Sequence, residues 1–354
     1  MDAFVGGGLH NVANGYESVV VGGDSDKACD ENTVIAGGGG NVIDSGDATD
    51  ASSSFIGSGE SNLIGGGTSE AFSSVVGGYE NAVSSGYGFI GGGQNNTINP
   101  GSLQAVIVGG AYNTVSGQYA FLGGGRSNSV TGEGAYIAAG GFNVASGEGA
   151  VIDGGFNSNA SGTFATIPGG YVNNAAGTYS FAAGARASAP YTGDFVWSDG
   201  SDGDAILAGT KAYQFLARAS GGVTFYTNAG STVGASLAAG SGTWASLSDR
   251  NAKTGIVPVD DASVLDKIDA LPISRWSYKS ERGVRHVGPM AQDFYAAFKV
   301  GEDDRHITSI DEDGVALAGI KALHARVGAL AAENAELRSE LATLRTEVES
   351  LRRR

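Results

Sequence analysis

Ser248 and Lys253 stand five residues apart in Ser248-Asp249-Arg250-Asn251-Ala252-Lys253. A hydroxyl with an amine in reach is a known arrangement for activating a serine nucleophile. The corresponding chemistry is nucleophilic attack by the Ser248 hydroxyl, with Lys253 taking its proton. A lysine amine ordinarily titrates at about 10.4 and is a poor base at neutral pH, so such a pair needs burial or nearby positive charge. Arg250 and His286 are candidates for that environment, and burial on assembly would delay the reaction until the chains have associated. Asp249 and Gln292 are candidates for orienting the strand or polarising the carbonyl. His286 reads equally well as a satisfied structural histidine, and a serine and lysine at this spacing also occur in ordinary exposed linkers.

The flanking text is more specific than the pair. Ser248-Asp249-x-x-x-Lys253 is followed by Leu271-Pro272-Ile273-Ser274-Arg275-Trp276-Ser277-Tyr278, and then by Arg285-His286-Val287-Gly288-Pro289-Met290-Ala291-Gln292-Asp293. Together these motifs resemble the intramolecular chaperone domain that ends endosialidase tailspikes and many phage tail fibres, a relative of which occurs in a eukaryotic membrane-bound transcription factor. The resemblance covers residues 244 to 354. It implies a homotrimer that cuts its own chaperone away between Leu247 and Ser248, Ser248 attacking the carbonyl before it and Lys253 serving as the base. Two positions depart from the pattern: Asp293, where Glu is more usual, and Ala252, where a larger apolar residue commonly precedes the lysine.

The rest of the chain must position this junction, and its composition is unlike that of an ordinary globular domain. Of 60 glycines, 53 precede Ser248, and the whole chain has six prolines. Such a composition calls for a test of internal repetition first. The net charge of −16 is uneven: 5 Lys and Arg stand against 19 Asp and Glu before Ser248, and 16 against 18 from there on. That acidity argues against nucleic acid as a partner of the first part. The single Cys29 excludes an internal disulfide framework and reads as a free structural thiol, and no Cys/His cluster has zinc spacing. The N-terminus has neither a basic nor an apolar signal region, and no run suggests a membrane span.

From Phe4 to Ala187 one phrase recurs: two or three apolar residues, a glycine pair, a few polar residues, an asparagine, a small apolar residue, then Ser or Gly. Val106-Ile107-Val108-Gly109-Gly110 leading to Asn113, and Phe121-Leu122-Gly123-Gly124 leading to Asn128, are examples. This short period suits one solenoid coil of two strands and two turns. Glycine permits positive φ at the corners, and asparagine can hydrogen-bond along a stack. The phrase resembles the head repeats of YadA-like trimeric adhesins, which implies a left-handed parallel β-roll packed as a trimer. So short a coil encloses little, and the expectation is that its apolar strand residues are buried against partner chains.

Insertions at Asp24 to Asn32 and Asp44 to Ser54 interrupt the early repeats. Asp24, Asp26 and Asp30, and Asp44 with Asp47 and Asp50, offer oxygen ligands but lack the calcium-loop pattern, so they read as solvated loop tips and no metal or cofactor is expected. Residues 188 to 246 break the period, with alternating stretches at 212 to 218 and 222 to 227. Gln214 to Val223 resembles the β neck that precedes this chaperone in tail fibres, and its aromatics are expected in a trimer core.

After Lys253, Ala262 to Ala270 and Gly288 to Phe298 read as helices. From Ile320 a heptad runs through Val327, Asn334, Leu341 and Val348 at one position and Leu323, Leu330, Leu337, Leu344 and Leu351 at the other, predicting a parallel trimeric coiled coil. The final Arg352 to Arg354 suits a solvated helix end. The predicted order is therefore a mainly β fibre: β-roll repeats over 1–187, a β neck over 188–247, and an α+β chaperone over 248–354 with its coiled coil at 320–354. The expected function is a trimeric phage tail fibre or surface adhesin that meets a host glycan or receptor, on a virion or outside the cell. A polysaccharide-degrading tailspike and a purely structural spacer are the alternatives. The first of these needs paired carboxylates in a cleft, whereas the acids here lie mainly in turns.

Overall fold

The computed structural model describes residues 2–46, 51–67, 70–281 and 283–353. It contains two compact units, Met1–Gly222 and Val223–Arg354. The first is a parallel β-solenoid. Each coil supplies one strand to a sheet that reaches 15 strands and one to a second sheet of 13, with partners taken from the coils before and after. Most of the strands are two residues long, so one residue points in and the other out. The inward residue is fully buried in coil after coil: Ile107, Leu122, Ile137 and Ile152 in the first sheet, and Val115, Val130 and Ala145 in the second.

This corrects the expectation that the strand residues are buried only against partner chains. Each roll closes its own narrow core, because two facing two-residue strands need only one inward side chain apiece to fill the space between them. The outward residues of the first sheet are left over, and a run of them is apolar: Phe89, Val106, Phe121, Tyr136 and Val151 stand in parallel register, between Ser74 and Thr166.

Backbone amides satisfy one another along the stack, as where Val106 N–H donates to Ala120 O at 3.0 Å and Val108 N–H to Leu122 O at 2.9 Å. The corner carbonyls are met by the asparagines. Asn113 Nδ2 donates to Asn96 Oδ1 (3.0 Å), Gly109 O (3.1 Å) and Gly125 O (3.0 Å), while its Oδ1 accepts from the Asn128 amide at 3.0 Å. The same pattern runs through Asn41, Asn62, Asn81, Asn96 and Asn128. Glycine is required beside this ladder: Gly110 has φ +92°, and a methyl group there would lie 2.2 Å from Gly125 O. Several other left-handed corners are not glycine, however. Tyr112, Tyr119, Phe164 and Tyr179 all have φ between 54° and 59°. Ring stacking between Phe164 and Tyr179, 5.7 Å apart and 5° from parallel, offsets part of that strain.

The acidic insertions also differ from expectation. Asp26 and Asp30 are buried rather than at solvated tips, whereas Asp24 is exposed and meets His10 at 3.2 Å. Asp47 and Asp50 lie outside the described residues. Asp26 occupies an asparagine place in the ladder, where its Oδ1 accepts from the Asn41 amide (2.8 Å) and Asn41 Nδ2 (3.0 Å). Its Oδ2 has no hydrogen-bond partner among the described residues. A methyl group on Gly23 would lie 2.2 Å from that oxygen, just as one on Gly93 would lie 2.7 Å from Asn96 Nδ2. Oδ2 therefore stands where the other coils have a donor. Replacing Asp26 by Asn supplies that donor, and a buried polar atom without a partner costs about 1–3 kcal/mol. Asp26→Asn is expected to raise the melting temperature by a few degrees in differential scanning calorimetry; an unchanged or lower value would contradict this placement. Cys29 nearby is half-buried, and burial followed by the Asp44 and Asp30 charges pushes its thiol pKa up, consistent with an inert thiol.

The two sheets do not stop where the period breaks. Phe181–Ala185, Phe195–Ser198 and Phe215–Arg218 continue the first sheet although the turns between them lengthen. The in-and-out alternation is kept in Phe195–Ser198 and Phe215–Arg218, and Phe181, Phe195 and Phe215 stack in sequence at 4.5 and 4.8 Å.

In the second unit, Gly222–Tyr226, Gly234–Ala238 and Trp244–Ser246 form a three-stranded sheet, and Ser274–Trp276 pairs antiparallel with His286–Gly288. Helix α1 spans Asp261–Ala270, α2 Ala291–Phe298 and α3 Ser309–Arg352. The expected helix from Gly288 begins at Ala291 instead, since a residue before proline is pushed to extended backbone and Gly288 ends a strand ahead of Pro289. Helix α3 starts eleven residues before the first heptad position, where the Thr308 side chain accepts from the Asp311 amide at 3.1 Å. Its first turns pack on α1. A methyl group on Gly319 would lie 2.5 Å from Ile268 Cδ1, so glycine there lets the two helices approach closely. Beyond this contact the heptad residues from Ile320 to Leu351 are 49–68 % exposed, Asn334 being exposed among them. One 18-residue window of α3 has a mean hydropathy of 1.4, long and apolar enough to cross a membrane by length and composition. The expectation that no run suggests a membrane span does not hold for this window.

Candidate active site

Ser248 and Lys253 are brought together. Lys253 Nζ donates to Ser248 Oγ at 2.6 Å, and both residues are exposed in the single chain. Five residues of extended chain span about 17 Å, so local folding has to bend the segment back. A single turn of 3-10 helix at Arg250–Ala252 does this, with Asp249 before it and Lys253 after it both in extended backbone. The Lys253 amide closes the turn on Arg250 O at 3.2 Å.

The other side of the Leu247–Ser248 bond is held separately. Trp244–Ser246 pairs antiparallel with Gly234–Ala238, and the Leu247 amide donates to Gly234 O at 3.1 Å. That rung is the last before the Leu247–Ser248 bond. Strand and turn thus meet at the bond, the hydroxyl belonging to the turn.

His286 sits in a different cluster. Its Nε2 lies 3.2 Å from Glu281 Oε2, and its ring stacks on Trp276 at 4.6 Å with Tyr278 edge-on at 5.8 Å. Gln292, in the first turn of α2, lines a cavity of about 380 Å³ with Trp276, Tyr278, Met290 and Arg305. Among the described residues no hydrogen bond joins His286 or Gln292 to Ser248 or Lys253. Asp249 is next to the pair, but its carboxylate faces the turn: Oδ1 accepts from the Asn251 amide at 2.9 Å and from Asn251 Nδ2 at 3.1 Å. Asn251 escaped the sequence reading. An Asp followed two residues later by Asn, at a chain reversal, is the side-chain-to-backbone turn signature that points to it. Among the described residues no group of three or more His, Cys, Asp or Glu stands in metal-holding positions.

A many-coiled parallel β-solenoid followed by a small α+β unit ending in a long helix defines the architecture. Residues 248–300 match the Peptidase_S74 family, described as the chaperone of endosialidase. The chain therefore carries a chaperone-of-endosialidase domain whose match opens on Ser248, behind a roll of stacked coils. No curated protein matches the chain.

Proposed function

We propose that the protein is a trimeric tail-fibre or surface-adhesin rod whose C-terminal chaperone domain assembles it and then cuts itself away between Leu247 and Ser248. The observation that carries this reading is the 2.6 Å bond from Lys253 Nζ to Ser248 Oγ at the first residue of the matched domain. In the reaction Ser248 Oγ attacks the Leu247 carbonyl carbon while the neutral Lys253 amine takes the hydroxyl proton. The C–N bond breaks, the Ser248 nitrogen leaves as an amine carrying that proton, and Leu247 is held as an ester on Oγ. Water then hydrolyses the ester to a Leu247 carboxylate and a free Ser248 hydroxyl. Because the pair is exposed in one chain, the water exclusion that favours a neutral amine has to come from neighbouring chains. That ties cleavage to assembly. Arg250, the first residue of the turn, is assigned to the same environment, while the roles given to His286 and Gln292 need contacts between chains.

Homotrimerisation is supported by the apolar outward row of the first sheet and by the exposed heptad seam of α3, two faces that a parallel assembly buries together. The same seam favours reading α3 as a coiled coil over reading it as a membrane span. The acidity of the roll speaks against nucleic acid as its partner, and a host surface glycan or receptor, met from a virion tail or outside the cell, is the partner this reading assigns.

Ser248→Ala and Lys253→Ala are each expected to leave a full-length chain on a denaturing gel under conditions where the parent is cut. Processing of either at the parental rate would remove the assignment.

A further inference from the structure

Asn251 and the Asp249 carboxylate form a clip, and we infer that this clip is the positioning device that delivers Lys253 to Ser248. The inference rests on the dyad proposed above. Ser248 and Lys253 flank a turn of only three residues, and so short a 3-10 segment is a weak element by itself. Its own backbone closure consists of the Ala252 amide on Asp249 O at 3.1 Å and the Lys253 amide on Arg250 O at 3.2 Å. The Asp249 side chain doubles that closure. One oxygen, Oδ1, holds both the backbone amide and the side-chain amide of Asn251, at 2.9 and 3.1 Å.

The side-chain half of the clip matters because the turn is exposed on all sides. No residue of Arg250–Ala252 is buried, so packing does not hold its shape. The lysine stem adds further rotatable bonds beyond the turn, and any drift of the Lys253 backbone is passed to Nζ. Misplacing a reacting group by about 1 Å is enough to slow a reaction roughly 10²-fold. Asp249 and Asn251 therefore act through Lys253 and touch neither the scissile carbonyl nor the attacking oxygen. Asp249 could instead act by its charge on the lysine, and that alternative is separable. An asparagine at 249 keeps an acceptor oxygen for both Asn251 donors and removes the charge.

The test uses the full-length chain and follows the first-order appearance of the cut product across a pH series, with Lys253→Ala as the reference for loss of the dyad. Asp249→Ala and Asn251→Ala are expected to lower the plateau rate about 10- to 100-fold without moving the midpoint of the pH profile, and Asp249→Asn to restore most of the rate. Parental rates in both alanine variants would overturn the clip. So would an Asp249→Asn variant as slow as Asp249→Ala, or one with a displaced pH midpoint, either of which assigns Asp249 an electrostatic role. To separate failed assembly from failed positioning, each substitution is also placed in the Ser248→Ala chain and its sedimentation compared with Ser248→Ala alone; loss of the assembled species there would likewise overturn a purely positioning role. Unimpaired cutting by Lys253→Ala would instead remove the dyad itself, an outcome read independently of the clip.

Discussion

A chain ending at Leu247 and expressed alone is expected to aggregate or misfold, whereas the same residues released by self-cleavage form a trimer resistant to heat and detergent. The reason lies in the topology. Every strand of the roll pairs parallel with the coil before and the coil after, so a slip of one coil is nearly isoenergetic locally, and three chains have to start together. Bringing them together orders each chain before the outward row of Phe89, Val106, Phe121 and Tyr136 gains any burial. In the proposed trimer the 44-residue helix α3 would lower that barrier by joining the chains first through its exposed seam. Once the roll has closed, removing the template leaves no low-barrier route back, and the rod becomes kinetically stable. The cleaved trimer is accordingly expected not to regain its resistance after denaturation and dilution. Soluble, resistant trimer from the truncated chain, at yields matching the full-length one, would show that residues 248–354 are not a folding template.

Replacement of Asn113 by Ala is expected to be the most damaging small substitution within the roll. It strands the Gly109 carbonyl and the Asn128 amide, and takes one of two donors from Gly125 O, which keeps the Ala111 amide, and from Asn96 Oδ1, which keeps the backbone amide of residue 113. With about 1–3 kcal/mol for each stranded group and partial relaxation, the loss is about 3 kcal/mol or more. For a unit of this size that corresponds to a fall of about 6–12 °C in melting temperature. Each coil of a solenoid touches mainly its neighbours, so faster hydrogen exchange should be concentrated in the coils around Asn96 to Asn128. Uniform loss along the roll, or a shift within a degree of the parent, would contradict the ladder's role.

How much of this was legible in the sequence depends on whether the responsible contact is local. The glycine pairs and the recurring asparagine gave the coil because both act within one repeat or on the next one. The α3 heptad was equally plain, since Leu323, Leu330 and Leu337 repeat without interruption. The self-contained core was missed because a 15-residue coil seems too small to enclose anything. The second residue of each strand, from Ile107 to Ile152, is enough when the facing strand contributes only one residue as well. Asp26 was misread for a related reason: an acidic side chain in a loop-like stretch reads as solvated, and only the coil register shows that it replaces an asparagine. At the site, Ser248 and Lys253 could be paired by spacing. The Asn251 clip could not, because its bond to Asp249 exists only once the turn has formed, and the separate Trp276–His286 cluster depends on an antiparallel pairing of residues ten apart in sequence.

The most direct measurement is the intact mass and assembly state of freshly purified full-length product, read by native mass spectrometry with sequencing of the shorter fragment's N-terminus. The expected result is a trimer of residues 1–247 together with a 107-residue fragment that begins at Ser248. An uncut 354-residue monomer, or a cut at any bond other than Leu247–Ser248, would contradict the self-processing fibre.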